Sequence, residues 1–192
     1  MTDVTIFGKG NMGAAIADVL TTGGATVTHL TSADKDATIT GDIVVLAVPH
    51  PAVEGILADY GDQLAGRIVV DITNPVDFST FDSLVVPSDG SQAAEIAAAL
   101  PGATVLKAFN TNFAATVAGR RVGDAAQTTV LVAGDDTEAK QALIDLVVAG
   151  GLQALDAGSL KRARELEAVG FLQLTLAAGE KISWAGGFAV AG

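Results

Sequence analysis

The stretch "DVTIFGKGNMGAAIADVL", from Asp3 to Leu20, decides the fold of this 192-residue chain. Its first five residues are a short run rich in β-branched side chains, which predicts a buried strand ending at a glycine. Strong helix formers follow from Asn11, and they predict a helix to about Thr22, where a pair of glycines ends it. Three glycines with the spacing G-x-G-x-x-G lie between the strand and the helix. The stretch therefore predicts the first turn of a βαβ unit.

Each of these three glycines has a physical role in a dinucleotide-binding turn. Gly8 permits the tight turn, Gly10 lets the backbone approach a pyrophosphate, and Gly13 lets the helix pack closely on the strand. The phosphates of such a ligand lie at the helix N-terminus, where N–H groups have no partner within the helix. The loop residues nearest to that place are Lys9, Asn11 and Met12. The alternative is a purely structural turn in a protein that binds its ligand elsewhere.

Composition narrows the class of protein. Hydrophobic residues make up 49% of the chain, which predicts a large folded core. The net charge of −11 argues against a nucleic-acid partner, and the absence of cysteine removes disulfides and thiolate metal sites. With only two histidines, no metal centre is expected. No apolar run reaches membrane-spanning length and no export signal opens the chain, so we expect a cytoplasmic protein with a small-molecule ligand and no membrane contact.

Strands alternate with helices along the rest of the chain. Apolar and β-branched runs predict further strands at residues 25–30, 42–48, 67–72, 104–109, 128–134 and 152–158. Helices are predicted at about 51–60, 91–100, 136–148 and 160–178, and a long loop at 74–90. This order predicts an α/β protein with a Rossmann-type, doubly wound parallel sheet in three layers. We expect one NAD(P)-binding domain over residues 1–192, on which a C-terminal helix and tail, about 158–192, pack.

The end of the second predicted strand indicates which dinucleotide is bound. NAD-binding proteins usually place an acidic residue there, which binds the ribose 2′-hydroxyl. Here the sequence is "THLTSADK", and the hydroxyls of Thr31 and Ser32 and the cation of Lys35 offer donors to a 2′-phosphate instead. NADP is therefore favoured over NAD, although no arginine is present and Asp34 lies close by.

Three more strand ends lead to the same crevice, because ligands of such sheets lie beyond the carboxyl ends of the strands. The residues that follow these strands are Ala47, Val48, Pro49 and His50, then Thr73 and Asn74, then Phe109, Asn110 and Asn112. The side chains at the last two strand ends are expected near the nicotinamide. Taken singly, each asparagine is explained as a turn or helix cap. Only the joint position of these residues at neighbouring strand ends gives a ligand site equal weight with that alternative.

Five segments together resemble one known family. The segments "IFGKGNMGAAIA", "VVLAVPHPAV", "DITNPV", "LKAFNT" and "GSLKRARELEAVGFLQLTLA" are similar to the NADP oxidoreductase, coenzyme F420-dependent family. Its members include NADPH:F420 reductases and the cytosolic reductase domain of six-transmembrane metalloreductases. The resemblance implies that Thr31, Ser32 and Lys35 correspond to the 2′-phosphate segment, here without the arginine of the family.

The resemblance also implies positions for the reacting rings. Residues 47–49 and the segment from Thr73 to Pro75 would flank the cofactor. Ala108, Phe109 and Asn110 would lie near the nicotinamide, where a flavin or deazaflavin ring stacks in the family. Because members differ in their electron acceptor, the resemblance leaves the acceptor, the direction of transfer and the oligomeric state open.

Few residues suit acid–base catalysis. Tyr60 is the only tyrosine and Leu64 stands four places later, so the Tyr-x-x-x-Lys pair of short-chain dehydrogenases is absent. His50 and Asn110 are the catalytic candidates. Hydride transfer between a nicotinamide and a flavin-like ring requires mainly proximity, stacking and exclusion of water. We therefore expect an NADPH-dependent oxidoreductase with a flavin or F420-type acceptor, and the alternative is a non-catalytic NAD(P)-binding module.

The C-terminal tail leaves three alternatives open. Its segment "ISWAGGFAV" contains Trp184 and Phe188, which could cover the acceptor pocket, pair with a second subunit or fill the edge of the core. The last helix could likewise form a homodimer or pack on the sheet through one side, which carries Leu160, Ala163, Leu166, Val169 and Leu172 or Gln173.

Overall fold

The computed structural model describes residues 2–191 of the chain. The strands are β1 (Asp3–Phe7), β2 (Thr26–Leu30), β3 (Ile43–Leu46), β4 (Ile68–Asp71), β5 (Thr104–Lys107), β6 (Arg121–Val122), β7 (Ala126–Gln127), β8 (Thr129–Gly134) and β9 (Gln153–Gly158). The α-helices are α1 (Asn11–Thr22), α2 (Val53–Leu64), α3 (Gln92–Ala99), α4 (Ala114–Gly119), α5 (Thr137–Ala149) and α6 (Ala163–Ala178). Short 3₁₀ helices, His50–Ala52 and Leu160–Arg162, precede α2 and α6.

Seven strands form one sheet in the order β2-β1-β3-β4-β5-β8-β9. The first five strands in this order run parallel, and the strand order reverses at β1, which lies between β2 and β3. Two apolar cores cover the faces of the sheet. One packs α1, α4 and α5 on it, and the other packs α2, α3 and the start of α6. The predicted three-layer, Rossmann-type α/β fold is confirmed.

The sheet departs from a fully parallel one at a single junction. Strand β8 runs antiparallel to β5, with Lys107 opposite Ala133, and β9 runs parallel to β8. The chain between β5 and β8 contains α4, which has six residues, and the β6–β7 hairpin. Two neighbouring strands run parallel only when their connection returns the chain to the end of the sheet at which the first strand began. The short α4 and the hairpin do not return the chain there. Neither α4 nor the hairpin was predicted from the sequence, since neither is long enough to show a helical or strand periodicity.

Helix α6 packs on the protein with part of the predicted stripe and with polar residues beside it. The stripe was predicted through Leu160, Ala163, Leu166, Val169 and Leu172 or Gln173. Ala163, Leu166 and Gln173 are buried, whereas Val169 and Leu172 are exposed. Glu167 and Gly170 are also buried, so the contact face includes a charge and a glycine that apolar periodicity does not predict.

The tail after α6 folds back along the protein. The backbone N–H of Phe188 donates to Oε1 of Gln173 over 2.7 Å, and that of Gly123 donates to the carbonyl of Ala185 over 2.7 Å. The ring of Trp184 packs on the ring of Phe113 with centroids 4.9 Å apart. The tail thus connects α6 with the β6–β7 hairpin.

Candidate functional site

The three glycines of the β1–α1 turn have three different surroundings. Gly8 has a φ of +105°, and a Cβ on it would lie 2.1 Å from the carbonyl oxygen of Ala47. A Cβ on Gly13 would lie 2.7 Å from the carbonyl oxygen of Gly8. A Cβ on Gly10 would meet nothing within 4 Å. Gly8 and Gly13 are therefore required by the packing of the protein itself, whereas the absence of a side chain at Gly10 leaves room for a ligand.

The N-terminus of α1 is prepared for an anion. Gly10 is its N-cap and supplies no side-chain hydrogen bond, and no acidic residue lies in the first turn. By contrast, Ser91 caps α3 over 3.1 Å and Asp136 caps α5 over 2.9 Å. His29 Nδ1 donates to the carbonyl of Gly8 over 2.8 Å and helps to hold the turn. The free N–H groups of α1 and its dipole would stabilise a phosphate here.

A cleft of about 340 Å³ begins at this helix end. It runs along the carboxyl ends of the parallel strands to α6. Its walls are formed by Gly10, Asn11, Met12, Gly13, Ala47, Val48, Pro49, His50, Ile72, Thr73, Asn74, Phe78, Asn110, Asn112 and Leu174. All of these except Ile72, Phe78 and Leu174 were proposed from sequence. A second cleft of about 360 Å³ lies near the start of β5, between α2 and the turn after α3, and Asp62 is the one charged residue in its lining.

Several residues proposed from sequence lie outside the cleft lining. Pro75, Ala108 and Phe109 are buried behind its wall. Phe109 has a φ of 61°, a left-handed conformation that is rare for a bulky residue and that turns the chain sharply after β5. The burial of its ring in the core stabilises that turn. Phe109 therefore contributes to the cleft indirectly, because the turn at Phe109 positions Asn110.

Two asparagines from neighbouring strand ends bind each other at the inner end of the cleft. Asn74 Nδ2 donates to the carbonyl of Asn110 over 2.8 Å, and Asn110 Nδ2 donates to Asn74 Oδ1 over 2.9 Å. Asn110 Nδ2 also donates to the carbonyl of Leu166 on α6, over 2.8 Å. Gly170 lies directly against the pair, since a Cβ on it would be 2.3 Å from Asn74 Oδ1. The asparagine pair thus joins β4, β5 and α6.

Four buried polar atoms of the cleft-lining residues have no hydrogen-bond partner within residues 2–191. They are His50 Nδ1, Thr73 Oγ1, Asn110 Oδ1 and Asn112 Oδ1. The orientation of both amides is fixed, because Asn110 Nδ2 donates to the Leu166 carbonyl and Asn112 Nδ2 to the Thr129 carbonyl. Two acceptor oxygens therefore lack a donor, and both are buried from solvent. A buried acceptor without a donor costs about 1–3 kcal/mol, and an N–H group of a ligand, such as a carboxamide, would recover this cost on reaching them.

A cluster of three buried charges lies behind this wall. Lys107 Nζ is 2.7 Å from Asp71 Oδ2 and 2.8 Å from Glu167 Oε1, and all three side chains are at most 1% exposed. Lys107 also donates to the carbonyl of Thr73 over 2.6 Å, while the N–H of Thr73 donates to Asp71 Oδ1 over 2.8 Å. The cluster therefore binds both the carbonyl and the N–H of Thr73, which lines the cleft.

Glu167 links the cluster to a second helix end. Its carboxylate accepts from the backbone N–H of Gln92 over 3.0 Å and of Ala93 over 3.4 Å, at the start of α3. Burial raises the pKa of Glu167, and the ammonium of Lys107 offsets part of that rise.

Asp71, Lys107 and Glu167 were not predicted as functional residues, although the sequence contains a signal for two of them. Asp71 and Lys107 lie within the predicted strands 67–72 and 104–109, in a sheet predicted to have helices on both faces. A charge in such a strand requires a buried partner.

The end of β2 differs from the arrangement expected for a 2′-phosphate. Asp34 Oδ2 accepts from the N–H of Thr31 over 2.8 Å and from its hydroxyl over 2.7 Å. These hydrogen bonds hold the pKa of the exposed Asp34 carboxyl below its usual range. Ser32 and Lys35 are exposed beside it, outside the cleft lining. A carboxylate therefore occupies the hydroxyl that was expected to bind the phosphate.

No group of three or more histidine, aspartate or glutamate side chains within residues 2–191 is placed to hold a metal ion. None of the helices in this range has the length and hydropathy needed to cross a bilayer.

The chain is similar to known reductases. Residues 25–75 match the model of the family described as NADP oxidoreductase coenzyme F420-dependent. The F420-dependent NADP reductase of Methanocaldococcus jannaschii is 32% identical over 140 residues, which are 71% of this chain and 62% of that protein. Metalloreductase STEAP3 of Rattus norvegicus is 40% identical over 114 residues, which are 59% of this chain and 22% of that protein.

A solved structure extends the similarity to the whole chain. The crystal structure of a candidate F420-dependent NADP reductase from Arthrobacter sp. FB24 matches with a TM-score of 0.85 and 25% identity, over 100% of both chains. The resemblance to the coenzyme F420-dependent NADP oxidoreductases is thereby confirmed. The chain spans 62% of the length of the Methanocaldococcus relative.

Proposed function

We propose that this protein is an NADP(H)-dependent oxidoreductase, which transfers a hydride between the nicotinamide and a flavin or F420-type ring. The observation that carries this proposal is that one cleft is lined both by an uncapped helix N-terminus and by two asparagines whose buried amide oxygens lack donors. The first feature suits a pyrophosphate and the second a nicotinamide carboxamide. The names of the Methanocaldococcus and Arthrobacter relatives support the same activity.

The dinucleotide would lie along the carboxyl edge of the sheet. Gly10, Asn11 and Met12 would bind the pyrophosphate through their backbone N–H groups. Ala47, Val48 and Pro49 would flank the adjoining ribose, and the asparagine pair would face the nicotinamide. Asn110 Oδ1 and Asn112 Oδ1 would accept from the carboxamide, which recovers the cost of their burial. Gly8 and Lys9 would support the pyrophosphate turn from behind.

We propose NADP(H) as the preferred cofactor, with a modest margin over NAD(H). Lys35 and Ser32 offer a cation and a hydroxyl to a 2′-phosphate at the end of β2. Asp34 opposes them, because its carboxylate binds Thr31 and would repel the phosphate dianion. Because Lys35 attracts the 2′-phosphate and Asp34 repels it, we expect both NADP(H) and NAD(H) to bind.

The acceptor ring would occupy the outer part of the cleft. Phe78, which is 55% exposed, and Leu174 offer apolar surface on which a planar ring could stack. A bound nicotinamide supplies the hydride, and a flavin-type acceptor takes up that hydride together with one proton. His50 lines the cleft with its Nδ1 unpaired, so it is the residue proposed to hold that proton.

Two measurements separate this proposal from its rival, a binding module without turnover. Fluorescence titration with NADPH and NADH measures the affinity for each cofactor, and tighter binding of NADH would refute the 2′-phosphate proposal. NADPH absorbance is then followed with F420, FMN, FAD or a ferric chelate as acceptor. Oxidation that depends on the protein with F420 or a flavin supports the reductase. Binding of NADPH without oxidation by any acceptor identifies the binding module.

A further inference from the structure

The cluster of Asp71, Lys107 and Glu167 contains one more carboxylate than it has cations. Each oxygen contact of Glu167 is made by a donor, either the Lys107 ammonium or an N–H of α3, which is the pattern of an ionised carboxylate. Asp71 likewise accepts from Lys107 and from the N–H of Thr73. With one ammonium and two carboxylates, the cluster carries a net charge of −1. No further charged side chain pairs with it within residues 2–191.

This charge lies directly behind the wall of the cleft. Lys107 binds the carbonyl of Thr73, and both Thr73 and its neighbour Asn74 line the cleft. Since the three charged side chains are fully buried, little water lies around them to screen their field. The N-terminus of α3, which donates to Glu167, offsets part of this negative charge.

A buried negative charge distinguishes the two redox states of a nicotinamide. The oxidised ring carries a positive charge and the reduced ring is neutral, so a nearby anion stabilises the oxidised form alone. We propose that Asp71, Lys107 and Glu167 form an electrostatic positioning cluster that raises the affinity of the cleft for NADP⁺ relative to NADPH. This inference rests on the proposed function, because it assumes that the nicotinamide half of the cofactor binds beside Thr73 and Asn74.

A purely structural role of the cluster and an electrostatic one predict different results. A cluster that only supports the fold would change the binding of both redox states together when it is altered. A cluster that acts through its charge changes their ratio. The dissociation constants of NADP⁺ and NADPH, measured separately by calorimetry or fluorescence at one pH and ionic strength, therefore provide a readout that is independent of turnover.

The test compares three substitutions in α6. Glu167→Gln removes the net charge, and we expect it to weaken NADP⁺ binding about four- to fifteenfold relative to NADPH, the effect of one charge over roughly 10–20 Å at an effective dielectric constant of about 20. Glu167→Asp keeps the charge but shortens the reach to α3, so it should destabilise the protein and leave the ratio unchanged. Glu165→Gln removes an exposed charge two residues away and should change neither property.

Asp71→Asn provides a second variant in case Glu167→Gln does not fold. It removes the same net charge from β4 and should lower the ratio in the same direction. An unchanged ratio in a folded Glu167→Gln or Asp71→Asn protein would overturn the inference, and so would an equal change in Glu167→Asp. If the unsubstituted protein bound neither NADP⁺ nor NADPH, the proposed function itself would fail, which is a distinct result.

Discussion

Gly8, Gly10 and Gly13 belong to one sequence pattern, but the protein uses them for different purposes. At Gly8 both the positive φ and the carbonyl of Ala47 exclude a side chain. Gly10, with a φ of −70° and open space around its Cα, tolerates one as far as the fold is concerned. Substitution at these two positions therefore separates the needs of folding from those of binding.

We expect Gly8→Ala and Gly10→Ala to have opposite profiles. Gly8→Ala should destabilise the protein by about 3 kcal/mol or more, because it combines backbone strain with a clash. Gly10→Ala should cost less than about 1 kcal/mol, yet reduce NADPH affinity on the order of tenfold or more because its Cβ occupies the phosphate position. Thermal unfolding and NADPH titration of both variants check this. Normal NADPH affinity in Gly10→Ala would place the phosphates elsewhere.

Asp34 is the residue at which the cofactor preference can be altered. We expect Asp34→Asn to raise NADPH affinity relative to NADH about two- to fivefold, because the amide keeps an acceptor for Thr31 but no longer repels a 2′-phosphate. Asp36→Asn is the matched control, since it removes an exposed carboxylate two residues away. Titration of both cofactors gives the ratio. An equal change in the two variants would indicate a general effect of net charge and no specific role of Asp34.

Particular residues also show how much of the site could be predicted from the sequence. The rule that ligands lie beyond parallel strand ends brought Ala47, Thr73 and Asn110 into one predicted site, and the structure brings these residues into one cleft. The sequence could not reveal that Asp34 binds Thr31, because a local hydrogen bond depends on the turn that the chain adopts. Phe78 and Leu174 were missed for a similar reason. A loop and a helix face become cleft walls only when the tertiary fold brings them there.

At the scale of the element, α6 is the part of the structure that completes the cleft. Its Leu166 carbonyl binds Asn110, its Glu167 caps α3, and its Gly170 lies on the asparagine pair. Sequence periodicity predicted the helix and the burial of Ala163 and Leu166, but it missed Glu167 and Gly170, because a hydropathy pattern does not identify a buried charge or a glycine in a contact face. Similarly, the antiparallel direction of β8 depends on the short α4 and hairpin, which carry no period.

The close contact at Gly170 gives a test of this role. Glycine to alanine in an exposed helix stabilises a protein by up to about 1 kcal/mol. Gly170→Ala should instead destabilise this protein by about 1–3 kcal/mol and weaken NADPH binding, because its Cβ would strike Asn74 and Asn110. Gly55→Ala in α2, where the Cβ meets nothing within 4 Å, should be neutral or slightly stabilising. Denaturant unfolding compares the two, and equal effects would mean that α6 does not press on the asparagine pair.

At the scale of the whole molecule, the tail is joined to the rest of the protein through a few identified contacts. Trp184 packs on Phe113, the N–H of Phe188 binds Gln173, and the Ala185 carbonyl accepts from Gly123. That residues 1–192 form one domain stays a prediction. Trp184, the only tryptophan of the chain, can test it, because its fluorescence reports on the contact between the tail and Phe113.

We expect the tail and the sheet to unfold in one cooperative transition. Trp184 fluorescence and far-ultraviolet circular dichroism should then give coincident curves with the same midpoint. Phe113→Ala removes the ring beneath Trp184 and should separate the two curves by loosening the tail first. An earlier midpoint for fluorescence in the unsubstituted protein would show that the tail is an independent segment, and the single-domain prediction would be wrong.

The central claim concerns the whole cleft, which is proposed to hold a nicotinamide beside a second ring and pass a hydride between them. The most direct measurement uses NADPH that carries deuterium at the transferred position of the nicotinamide, with F420 as the acceptor. A deazaflavin retains the transferred atom on carbon, so mass spectrometry of the reduced acceptor reveals its origin. We predict that the deuterium appears in the reduced acceptor, at a rate that falls in Gly10→Ala. Reduced acceptor that carries no deuterium, or NADPH that stays unoxidised with F420 and with flavins, would contradict the proposed hydride transfer.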